Sequence, residues 1–146
     1  MTTKIAFFRP RLLGTIAAAG IVLAAFSTVA LGDEVRVTLS GDYEVPPVKT
    51  MASGSGMIII NPDMSVSGTI VTTGLAGTMA HIHQGALGKN GPVIVPLAKN
   101  GEYGWVVPAG SKFTDAQYQA YKSGDLYVNV HTAENKGGEI RGQLKP

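Results

Sequence analysis

The 146-residue chain contains no cysteine. That absence excludes disulfides, thiol nucleophiles, zinc ribbons and copper sites that need a thiolate. Charge is also scarce, at 15% of residues, and it is unevenly placed. Residues 1–32 hold Lys4, Arg9 and Arg11 and no acid, so the formal net charge of +2 becomes −1 over residues 33–146. The chain's pI of about 8.9 therefore belongs mostly to its N-terminal stretch. No basic patch remains for a nucleic acid, and none is expected as a partner. There is no Asn-x-Ser/Thr sequon, and Asp42 and Asp63 are too isolated for a calcium loop. The Gly-rich stretch Gly85–Pro92 is followed by no Gly-Lys-Ser/Thr, so it is no phosphate loop. Histidine is limited to His81, His83 and His131.

What is present begins with a leader. A positive start precedes an apolar run from Leu12 to Leu31, with small residues around Ala30 and Gly32. These are the parts of a secretory signal peptide, with cleavage expected after Ala30 or Gly32. The run is about the ~20 residues that span a bilayer, so an uncleaved anchor is the alternative. Gly14, Thr15, Gly20, Ser27 and Thr28 dilute it and favour cleavage. The expected division is a signal peptide over 1–32 and one domain over 33–146, secreted or periplasmic, with no stable membrane span after cleavage.

The domain reads as short strands between turns. Val35–Leu39 alternates with period 2. Gly54–Ile60 and Ser65–Thr73 flank the turn Asn61-Pro62-Asp63 and form a hairpin, with Val66, Gly68, Ile70 and Thr72 on one face. Thr78–His83, Val93–Leu97 and Tyr103–Val107 follow, the last two joined by an Asn-Gly turn. Thr114-Asp115-Ala116-Gln117 has the form of a capping box and opens a helix of about two turns, which Gly124 stops. Leu126–His131 and Glu139–Leu144 close the set. Seven or eight short strands with one helix imply an all-β, antiparallel Greek-key sandwich or barrel. Trp105 is expected in its core, and Tyr118 and Tyr121 between helix and sheet.

Alternation also places the polar residues. Ala80 and Ile82 point inward, so His81 and His83 point outward together. By the same rule Tyr127, Asn129 and His131 share an outward face, as do Glu139, Arg141 and Gln143. A hairpin across Thr132–Gly138 puts His131 opposite Glu139. Two imidazoles at i and i+2 on a strand are held about 6–7 Å apart at Cβ, a chelating spacing. With His131 alongside, they make a three-imidazole site suited to copper, zinc, nickel or iron. Copper(II), with an open position for water, is the favoured ion in a thiolate-free extracytoplasmic site. Tyr127, Glu139 and Arg141 are candidates to support the ligands. The competing readings are three ordinary surface histidines and an exposed cross-strand pair of Arg141 with Glu139, worth under ~1 kcal/mol.

Six blocks in order carry a resemblance: Leu39-Ser40-Gly41, Glu44–Val48, Ala80–His83, Asn90–Val93, Tyr127–Thr132 and Gly137–Leu144. Together they resemble the CHRD domain family, from about Val35 to Leu144. The resemblance implies an all-β extracytoplasmic domain and assigns no reaction. A weaker likeness joins Ala80–His83 and Val130-His131 to the metal strands of copper/zinc superoxide dismutase. The chain departs from that family in having no zinc histidines, no bridging histidine and no cysteine pair, so zinc-dependent dismutation is not expected. The expectation is a copper-binding domain on His81, His83 and His131 with a protective or weak superoxide-related role. A structural or adhesive module is the alternative, binding an extracellular protein or polysaccharide through Tyr43–Val48 or Gly85–Pro92.

Overall fold

Eight antiparallel strands close on one another in the order β1-β2-β3-β6-β5-β4-β7-β8. They are β1 Asp33–Ser40, β2 Ser53–Ile60, β3 Val66–Thr73, β4 Met79–Gln84, β5 Val93–Asn100, β6 Gly104–Val106, β7 Leu126–His131 and β8 Ile140–Leu144. A short 3-10 turn, Gly41–Tyr43, follows β1, and a helix, α1 Asp115–Lys122, precedes β7. This computed structural model describes residues 1–3 and 31–146. The leader expectation falls mainly on residues 4–30 and so lies outside the described residues. Among those described, no helix is long and apolar enough to cross a membrane.

The barrel follows from the alternation. Val35, Val37 and Leu39 on β1 and Val66, Ile70 and Thr72 on β3 are buried, while their neighbours face outward. Ile58, Ile70, Ile82, Val128, Val130 and Ile140 have no exposed surface. Each such aliphatic side chain contributes about 1.5–3 kcal/mol when buried. Trp105 joins this core as expected, at 2% exposure. The ring closes where Ser40 of β1 pairs with Arg141 of β8. Closure removes the edges at which an open sheet would recruit other chains.

The expected hairpin is β2 and β3, in register from Ser53↔Thr73 to Ile60↔Val66. The capping box is complete: Gln117 N–H donates to Thr114 Oγ1, and Thr114 N–H donates to Gln117 Oε1. Tyr121 fixes the helix to the barrel by donating its hydroxyl to Asp33, and Tyr118 packs against the core.

The topology is a Greek key. Strands β4, β5 and β6 are consecutive neighbours, and β7 returns through the α1 connection to lie beside β4. Met79 thereby faces His131, His81 faces Asn129 and His83 faces Tyr127. The crossover thus joins two strands whose histidines are about fifty residues apart in the chain.

Candidate metal centre

His81 and His83 leave the outer face of β4, and His131 leaves the same face of its neighbour β7. One ring nitrogen from each lies within 4.8 Å of the others. His81 Nδ1 and His131 Nε2 are 2.9 Å apart. The rings of His81 and His83 meet edge to face with centroids 5.5 Å apart. All three histidines expected from the sequence are therefore brought together.

Two of the rings are oriented from behind. His83 Nδ1 donates to the carbonyl of Gly91 at 2.9 Å, and His131 Nδ1 donates to the carbonyl of Lys136 at 2.9 Å. A carbonyl can only accept, so each ring carries its proton on Nδ1 and presents a lone pair on Nε2. This is the arrangement that orients metal-ligating histidines. His83 Nε2 is buried with no hydrogen-bond partner. A register shift between Ile82 and His83 pairs His83 with Val93 instead of Ile94, a bulge of the kind that re-aims a side chain beside a site.

Burial pushes all three imidazoles below the ordinary histidine range. For His81 the neighbouring histidines add to this, while for His83 and His131 the carbonyl contacts oppose it. The rings are thus neutral at physiological pH, the form that ligates a metal. Metal–nitrogen bonds of about 2.0–2.1 Å place two donors about 3.3–4 Å apart, depending on angle. The cluster needs adjustments of about an ångström to meet that range, and its donors fit a single ion. His83 Nε2 and His131 Nε2 carry lone pairs, whereas His81 Nδ1 donates its proton to His131 Nε2 and would have to give it up, or shift it to Nε2, to serve as the third.

The outward direction of these residues agrees with alternation; their exposure does not. His83, Tyr127, Asn129, His131, Glu139 and Arg141 are buried, and Arg141 keeps only 1% of its surface. Loops folded over this side of the barrel cover them. The expected exposed pair of Arg141 with Glu139 is therefore corrected. Among the described residues the salt bridges are Lys112–Asp63 and Lys122–Asp33. Arg141 instead donates to Asn90 Oδ1, to the carbonyls of Ala86 and Lys89 and to Gln143 Oε1, pinning the loop that carries Gly91. Glu139 accepts from Thr50, Thr132 and Asn135, tying down the loop that carries Lys136. Tyr127 stacks on His83, with centroids 4.7 Å apart and planes 6° apart, and its hydroxyl accepts from Gly91 N–H at 3.2 Å. All three expected supporting residues lie around the centre, Arg141 and Glu139 acting one loop away.

Glu44 and Asn129 were not singled out from the sequence. Glu44 is 4% exposed, and its Oε1 has no hydrogen-bond partner, as is true of Asn129 Oδ1. Burial raises the Glu44 carboxyl to about 7, against the opposing pull of the Arg141 guanidinium. Gly138, at φ 133°, leaves room for them: a Cβ there would strike Glu44 Oε1 and Asn129 Nδ2. The carbonyls of Gly91 and Lys136 escaped notice because backbone groups leave no residue-type signal.

Comparison with known proteins adds to this geometry. The CHRD domain model matches residues 35–144. Chordin of Xenopus laevis is 30% identical over 122 residues, covering 77% of this chain and 13% of chordin. The chain thus spans a small fraction of that relative's length. No solved structure matches. With three quarters of its length inside the family match, the chain belongs to the CHRD domain family.

Proposed function

We propose that this protein is an extracytoplasmic CHRD domain that binds one copper ion through His81, His83 and His131. The observation that carries the reading is the convergence of three neutral imidazole nitrogens within 4.8 Å, two of their rings oriented by backbone carbonyls. Copper leads the divalent first-row ions in affinity for nitrogen sites, and no thiolate competes for it. The leader-like start of the chain supports a role outside the cytoplasm. Bound copper supplies one-electron chemistry, and the proposed role is copper holding and protection, superoxide included. The chain's own contribution is to aim the Nε2 lone pairs of His83 and His131 beside the His81 ring and to shield His83 and His131 from solvent.

The test is calorimetric titration of the purified protein with copper(II) and zinc(II), repeated on His81→Ala and His131→Ala. Tight one-to-one copper binding, abolished by either substitution, is expected. Weak binding that neither substitution alters would overturn the reading.

A second reading, an interaction module, is favoured by one surface feature. A cleft of about 290 Å³ lies over β1 and β8, between the Gly41–Tyr43 turn and the loop that carries Gly91, lined by Arg36, Tyr43, Leu87, Arg141, Gln143 and Lys145 among others. Tyr43 and Leu87 are 55% and 65% exposed, and the lining contains no acid. An extracellular protein with an acidic segment suits it. Tyr43→Ala with Leu87→Ala would weaken such binding and leave copper titration unchanged.

A further inference from the structure

The outer face of β4 carries a third residue in line with its histidines. In Met79-Ala80-His81-Ile82-His83 the even positions enter the core, with Ala80 at 1% and Ile82 at 0% exposure. Met79 therefore shares the face of His81 and His83. It is also the direct cross-strand partner of His131. Directly opposed residues on one face have Cβ atoms about 4.5–5.5 Å apart, well within reach of an unbranched thioether side chain. Met79 is 51% exposed, so core packing does not account for it. His83 and His131 are covered by loops, whereas Met79 and the half-buried His81 form the open end of the cluster.

We propose that Met79 is a fourth, thioether ligand of this centre and makes it a site for copper(I) as well as copper(II). The inference rests on the three-histidine reading above and extends it to the reduced ion. Imidazole serves both oxidation states, whereas a soft thioether selects copper(I). The three rotatable bonds of methionine would let the sulfur reach a copper(I) ion held by the histidines, while copper(II) would be held by the imidazoles alone. Its half-exposed position lets an incoming copper(I) ion meet the sulfur before the buried imidazoles.

The experiment uses the purified full-length protein and copper itself. Copper(I) affinity is measured anaerobically by competition with bicinchoninate in the presence of ascorbate, and copper(II) affinity by calorimetry in air. Wild type is compared with Met79→Leu and with Met51→Leu, a control at a methionine that is 98% exposed on another segment. Circular dichroism verifies that each variant folds. Met79→Leu is expected to weaken copper(I) binding by more than about tenfold, the lower end of what losing even an outer-sphere partner costs a metal site. Its copper(II) affinity should stay as in wild type, and Met51→Leu should alter neither. X-ray absorption of the copper(I) form should show one sulfur near the ~2.3 Å typical of metal–sulfur bonds, absent in Met79→Leu. Equal copper(I) affinities in wild type and Met79→Leu, or no sulfur neighbour in wild type, would overturn the role of Met79 and leave the histidine centre standing. A wild-type protein that binds neither ion would overturn both.

Discussion

The Arg141 guanidinium lies 3.4 Å from the centre of the Tyr127 ring. His83 stacks on the same ring at 4.7 Å, so the two take opposite faces of it. A cation, a phenol and a candidate ligand thus form one column, and Arg141 also holds the loop whose Gly91 carbonyl orients His83. Replacing Arg141 by Lys keeps the charge and loses the planar fork that serves four acceptors. Arg141→Lys should cost about 1–3 kcal/mol, because part-buried hydrogen bonds from a charged donor are lost. Urea denaturation measures this, and a midpoint equal to wild type would contradict the bridging role.

Gly91 is the other anchor of that column. A Cβ there would run into the carbonyl oxygen of Gln84. Gly91→Ala must therefore displace the loop and its hydrogen bond from His83. The expected outcome is a mixed His83 tautomer in nitrogen-15 NMR and a metal affinity reduced by about 10–100-fold, as for other outer-sphere losses. A single unchanged Nδ1–H tautomer would show that the loop plays no orienting part.

Glu44 sets a pH dependence of stability. Its carboxyl rises from 4.5 to about 7 on folding, chiefly through burial. Between those values the native state binds more protons than the unfolded state. The stability that neutral Glu44 contributes is therefore full below pH 4.5 and is lost as pH rises through about 7. Glu44→Gln mimics the neutral form at every pH. It should be more stable than wild type at about pH 8, by up to about 3 kcal/mol, with the difference vanishing near pH 4. Chemical denaturation of both proteins across this range is the measurement, and a pH-independent difference would refute the assignment.

The helix offers a simpler check. Thr114 Oγ1 accepts from Gln117 N–H, and the Gln117 side chain returns the bond to Thr114 N–H. Thr114→Ala removes half of this box and should cost about 1 kcal/mol in thermal or urea denaturation. It should leave metal titration unchanged, since α1 contributes none of the residues around the histidines.

The sequence by itself determined the strands, the β2–β3 hairpin, the capped helix and the faces on which His81, His83 and His131 lie. These are local properties: a period of two assigns each residue to a side, and a Thr-x-x-Gln pattern starts a helix within one turn. Tertiary structure decided that β7 lies beside β4, because Greek-key neighbours are chosen by closure of the whole barrel and not by nearby residues. It decided too that the outward residues of β7 and β8 are buried. Alternation says which way Arg141 points, but only the folded loops supply the carbonyls that surround it and exclude water. The pairing of Met79 with His131 is likewise a product of strand register across that crossover, set by contacts about fifty residues apart.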